Sequence, residues 1–203
     1  MKETMISPLA YVDPSARLGK MLRYIRLLYR QKCEIGDDNV IMPYASLMSG
    51  TRMGNGNEVY QGAVVAAVPQ DFAYTGEDTL AYIGNNNVIR ENAVIIRGTH
   101  AGHATSVGDG NFIMTGARLS HDVEVGNHCI IGNGSQVSGN CIIQDCAILT
   151  SNVLMQGNTR LEVTLWYRRM PFYQRYSSLY RGSSRTYCFL QHKYESARAC
   201  WFL

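Results

Sequence analysis

The stretch GARLSHDVEVG, residues 116–126, sets an imidazole beside a carboxylate at His121–Asp122. An imidazole exchanges a proton near neutral pH, so it can take the proton of an attacking hydroxyl. General-base help of this kind is worth about 10²–10⁴-fold in rate. Asp122 can orient the ring or stabilise the imidazolium. Sequence neighbours rarely meet through their side chains, however, and a carboxylate brought near by the fold serves equally. His100, His103 and His128 raise zinc as an alternative, which needs three protein ligands and an open position. The six cysteines (Cys33, Cys129, Cys141, Cys146, Cys188, Cys200) form no CxxC pair or zinc spacing, so they read as buried free thiols. No GxxxxGK[ST] loop cradles a phosphate.

The elements that must position His121 are written in a six-residue beat. Aliphatic side chains recur at Ile35, Ile41, Leu47, Met53, Val59 and Val65, again at Ile83, Ile89 and Ile95, and then from Val107 through Leu119 to Leu161. Four residues after a beat the side chain is small or short, as at Ala45, Thr51, Ala63, Ala93, Ala117, Ser135 and Ala147. Gly often follows the beat, and Gly or Asn supplies turns with positive φ. Six is neither the helical period of 3.6 nor a simple alternation of two. It fits a triangular coil with three hexads per circuit, stacked at the strand spacing of about 4.8 Å. The expected fold is all-β, a left-handed parallel β-helix, an exception to the usual right-handed crossover. His121, two residues after the Leu119 beat, points away from the prism interior.

Two interruptions keep the phase. Eighteen residues separate Val65 from Ile83 and twelve separate Ile95 from Val107, where an unbroken hexad has six. Loops projecting from a rigid solenoid are natural places for function.

The net charge of +3 is unevenly spread. Residues 33–157 carry 4 basic and 12 acidic side chains, residues 17–32 carry 6 basic and none acidic, and residues 158–203 carry 8 basic and 2 acidic. A basic aromatic stretch is one footprint of nucleic-acid binding. The repeat argues for another role, and no nucleic-acid partner is expected. No apolar run is long enough to span a membrane, and no signal peptide precedes the coil, so the chain reads as cytoplasmic.

The domain reading is a β-helix over 1–160, with a disrupted coil at 21–33 and an inserted loop at 66–82, followed by a basic non-hexad tail at 161–203. Leu18 and Ile35 lie 17 apart, one short of three hexads. The two stretches without a beat also hold the basic charge. One reading covers both: displaced reading frames. Shifted codons for Met21–Leu28 can spell D-V-T-I-H-P-F-A, and those for Arg169–Ser183 can spell G-C-R-F-T-K-D-I-P-P-Y-I-A-A. The alternative is a genuine basic helix and tail.

The segments ISPLAYVDPSARLG, EIGDDNVIMPYASLMSGTRMGNGNEVYQGAVV, PQDFAYTGE, IGNNNVIRENAVIIRGTHAG and SHDVEVGNHCIIGNGSQVSGN together resemble the UDP-N-acetylglucosamine acyltransferases that start lipid A biosynthesis. The PQDFAYTGE loop and the SHDVEVG coil are the specific parts. The resemblance implies a homotrimer with active sites between neighbours. It implies transfer of an (R)-3-hydroxyacyl group from acyl carrier protein to the 3-hydroxyl of UDP-N-acetylglucosamine. The donor is a thioester, and no cofactor or metal is implied. His121 matches the catalytic base and Gly139 the backbone oxyanion donor. Gln70, Asp71, Asn140 and Gln156 fall at substrate-contacting positions, with Asp122, His100 and His103 in support. Ala73 stands where many members have lysine, and Arg118, Asn140 and Gln156 where some have histidine. The family's C-terminal helical domain is expected to be missing or scrambled here. Two other readings remain: a sister hexapeptide transferase using acetyl-CoA or another sugar nucleotide, and an inactive β-helical remnant.

Overall fold

The beat closes into a three-faced prism. The structure is a computed structural model that describes residues 5–6, 10–12, 14–20, 23–24, 27–29, 33–162 and 185–187. Among these, three sheets of eight, seven and nine short strands run up the three faces of a left-handed parallel β-helix. Ile41, Val59, Ile89, Ile113 and Ile131 stack inside the first face, and Leu47, Val65, Ile95, Leu119 and Val137 inside the second. Ile35, Met53, Ile83, Val107, Val125 and Ile143 stack inside the third. From Glu34–Ile35 to Arg160–Glu162 each strand buries its beat residue and turns the one before it outward, because successive strand side chains alternate. Most beat side chains are fully buried.

The corners follow one rule. Three residues after a beat the backbone takes positive φ, at Asn86, Asn92, Asp122, Asn140, Asn152 and Asn158 (φ 54–58°), with Gly56 and Gly62 in the same place. Asn and Asp tolerate this region better than other side chains. The glycines directly after a beat have a different cause, which is space. A Cβ on Gly54 would stand 2.8 Å from Gly84 O in the next coil.

The small slot four residues after the beat does more than fit. Cys129 Sγ donates to Gln144 O (3.1 Å), Ser135 Oγ to Thr150 O (2.7 Å) and Cys141 Sγ to Gln156 O (3.1 Å), each fifteen residues ahead. Cys33, Cys129 and Cys141 are buried and form no disulfide among the described residues, and burial pushes the Cys129 thiol up to about 11. These thiols are therefore structural donors and not nucleophiles. Cys188 and Cys200 lie outside the described residues.

In the same slot at the corner between the third and first faces stands a ladder that the small-residue rule missed. Asn39, Asn57, Asn87 and Asn111 are buried. Asn57 Nδ2 donates to Asn39 Oδ1, Asn87 Nδ2 to Asn57 Oδ1 and Asn111 Nδ2 to Asn87 Oδ1, each at 3.0 Å. The same oxygens accept the backbone N–H of the next coil at 2.8–2.9 Å. A buried amide is tolerated because its neighbour above and below is another amide. Asn87→Ala is expected to strand the Asn111 backbone N–H and Nδ2, while Asn57 Oδ1 keeps the backbone N–H of residue 87, at about 1–3 kcal/mol for each stranded group. Calorimetry checks this as a lowered Tm, and an unchanged Tm would refute the ladder's role.

The short coil near the N-terminus still pairs, with Leu18 opposite Ile35. Tyr24 pairs with Ile41 and Tyr29 with Leu47, so the missing residue falls between Tyr24 and Tyr29. At the other end Arg185–Tyr187 pairs beside Arg160–Glu162. The other residues of the 21–33 stretch, apart from Cys33, and of the tail beyond Glu162 lie outside the described residues, as does most of what the frame reading concerns.

Candidate active site

Both insertions leave the prism at one edge, between the second and third faces. The first runs from the strand Val64–Ala67 to Leu80–Ile83, and the second from Val94–Ile96 to Ala104–Val107. Directly above them, in successive coils at the same edge, come His121–Asp122, Gly139–Asn140 and Gln156. All nine residues singled out from the sequence therefore sit on one edge.

His121 is held at both ring nitrogens. Nδ1 lies 2.9 Å from Asp122 Oδ2, and Nε2 lies 3.4 Å from Asp71 Oδ2 in the first inserted loop. The sequence neighbours do meet through their side chains, contrary to the rule stated above. The reason is the positive φ of Asp122 (58°), which turns its carboxylate back toward the preceding ring. The expected partner from elsewhere in the chain is present as well, in Asp71. The His121 side chain is 17% exposed and that of Asp122 10%, so the pair is shielded and Nε2 faces the edge.

Gly139 lies beneath the imidazole. A Cβ there would stand 2.3 Å from His121 Cε1 and 2.5 Å from Nε2, so only glycine leaves room for the ring. Its φ is not positive, so space and not backbone freedom selects it. The Gly139 N–H donates to no acceptor among the described residues. Asn140 N–H ties the two coils by donating to His121 O (3.2 Å). The side chains of Gln70, Asn140 and Gln156 are exposed along the rim.

His100 and His103 are exposed on the second inserted loop. His103 Nδ1 lies 3.4 Å from Asp122 Oδ1, whereas His100 meets only the edge of the His103 ring. His128 sits at the edge between the third and first faces, against Gly110, so within the chain these three histidines do not converge.

Two contributors, Arg97 and Thr99, escaped the sequence reading, as did the contact made by a third, Arg118. Arg118 Nη2 donates to Gln70 Oε1 and steadies the first loop. Arg97 donates to Ser49 O (2.9 Å) and Tyr74 Oη (2.7 Å), pinning that loop to the coil below it. Thr99 N–H reaches the Asp122 carboxylate at 3.2 Å. A usable signal was present. One circuit is 18 residues, and His121, Gly139 and Gly157 are 18 apart.

Prism, hexad and corner rule together define a hexapeptide-repeat fold. A family model, bacterial transferase hexapeptide (six repeats), matches residues 32–67 and 104–139. The coil is similar to UDP-N-acetylglucosamine acyltransferases of known structure. It shares 43% identity with LpxA, a UDP-N-acetylglucosamine acyltransferase from Bacteroides fragilis, at a TM-score of 0.71 over 78% of this chain and 65% of that one. The Francisella novicida UDP-N-acetylglucosamine acyltransferase gives 31% identity and a TM-score of 0.76 over 78% and 59%. LpxA from Acinetobacter baumannii gives 34% and 0.64 over 78% and 62%. The chain thus spans less than two thirds of the length of each of these three proteins.

Proposed function

We propose that the chain transfers an (R)-3-hydroxyacyl group from acyl carrier protein to the 3-hydroxyl of UDP-N-acetylglucosamine, the first step of lipid A biosynthesis. One observation carries the reading: an imidazole clamped by Asp122 at Nδ1, with Nε2 turned to the loop edge beside a Gly139 N–H that meets no acceptor among the described residues. With Nδ1–H donating to Asp122, the neutral ring keeps its lone pair on Nε2 for the substrate. The sugar hydroxyl gives its proton to Nε2 while its oxygen attacks the thioester carbonyl carbon. The Gly139 N–H stabilises the oxyanion. The C–S bond then breaks, and the proton passes from His121 to the leaving thiolate. Asp71, facing Nε2, holds the sugar beside the base. Gln70, Asn140 and Gln156 bind the sugar nucleotide along the rim. The step needs no metal or cofactor.

We also propose a homotrimer acting in the cytoplasm. The outward stripe of the first face, Val88, Phe112, Ile130 and Ile148, is apolar through four successive coils. An apolar strip of this kind suits a contact between copies.

The test is transfer by the purified chain, with 3-hydroxyacyl carrier protein and acetyl-CoA offered in competition. Acylated UDP-N-acetylglucosamine formed from the carrier-bound donor is expected in the mass spectrum. Transfer from acetyl-CoA instead would make it a sister transferase. No transfer from a folded coil would make it an inactive remnant.

A further inference from the structure

The second inserted loop is built to hold two groups still. It turns back at Gly102 (φ 80°), where His103 N–H donates to His100 O at 2.8 Å. Gly98 lies so close that a Cβ there would stand 2.6 Å from the His103 carbonyl carbon. From this loop Thr99 N–H reaches Asp122 at 3.2 Å from Oδ2 and 3.4 Å from Oδ1. His103 Nδ1 stands 3.4 Å from Oδ1. His121 takes Oδ2 at 2.9 Å.

We propose that His103 is a positioning residue for acyl transfer, holding the Asp122 carboxylate so that Asp122 holds the His121 ring. This rests on the acyltransferase reading, under which His121 is the base. An aspartate's terminal torsion has a broad minimum and does not fix the carboxylate plane by itself. Asp122 is largely shielded, so protein donors must do so in place of water. Thr99 N–H spans both oxygens, and the His103 ring at 3.4 Å closes on Oδ1, so the plane is held and the imidazole bonded to it stays aimed at the edge.

The test uses the full chain with His103→Ala, His103→Phe and His103→Asn. Phenylalanine keeps a ring against His100 but cannot donate. The asparagine amide donates from near the position of Nδ1 but does not titrate. The first readout is the carboxylate-bonded Nδ1 proton of His121 in the NMR spectrum, assigned by its loss in His121→Gln. It needs no turnover. The resonance is expected to broaden or vanish in the Ala and Phe variants and to persist in Asn. The second readout is steady-state kinetics. Ala and Phe are expected to lower kcat about threefold to tenfold, the weight of one polar contact, with KM for UDP-N-acetylglucosamine unchanged. Asn restores kcat. An unchanged resonance in both the Ala and Phe variants overturns the proposal. So does rescue by Phe, which would assign His103 to packing alone. If the wild-type chain transfers nothing, the acyltransferase reading fails by itself and the resonance still decides whether His103 positions Asp122.

Discussion

His121→Ala is expected to reduce kcat by about 10²–10⁴-fold, the range that a positioned general base supplies. The coil should survive the change. His121 lies outside the prism, its side chain contacts only Asp122 and Asp71 among charged groups, and the stack beneath it is carried by Leu119. Thermal melting and oligomer size are therefore expected to stay as in the wild type. Steady-state transfer from the hydroxyacyl carrier protein, measured beside a melting curve, separates the two effects. Near-normal turnover by a folded variant would remove His121 from the mechanism.

The second large effect is expected from a single methyl group at Gly139. Gly139→Ala drives a Cβ to within 2.5 Å of both Cε1 and Nε2, so the ring must move. Displacing a reacting group by an ångström costs on the order of 10²-fold. His121 supplies all three atoms nearest the new methyl, so the ring is the group that must give way. Loss of kcat with a retained melting point is the expected pattern. A crystal structure of the variant should find the imidazole swung away from Asp71. A fully active Gly139→Ala protein would mean that the ring is not seated where the acyl transfer takes place.

The beat made the fold legible, because a six-residue period has few other solutions. The inward beat, the small slot and the two phase-keeping insertions could all be read directly. The asparagine ladder could not. A buried amide in an aliphatic stack reads as an error until the partner eighteen or more residues away is known to be another amide. The His121–Asp122 contact was hidden for a local reason. It depends on the positive φ at Asp122, and that follows from its place three residues after Leu119. Asp71, His103 and Arg118 were named from the resemblance, but their contacts were out of reach for a longer-range reason. Their meeting requires knowing that both insertions leave the same edge, a fact set by counting circuits and not hexads. The resemblance to a known family named His121 and Gly139, but the packing of one against the other is a property of the stacked coils.

The excess chain of the two insertions, twelve residues in the first and six in the second, leaves no trace in the strands on either side. Ala81 meets Thr51, and Ile83 meets both Met53 and Val107, as though nothing intervened. Elsewhere in the coil one added residue would turn every later side chain to the wrong face. The site edge is thus where whole hexads of length have come free of the core. Segments there can be exchanged, shortened or extended as interchangeable parts. A coil of this kind can acquire a new substrate by splicing at a single seam, with its interior inherited unchanged.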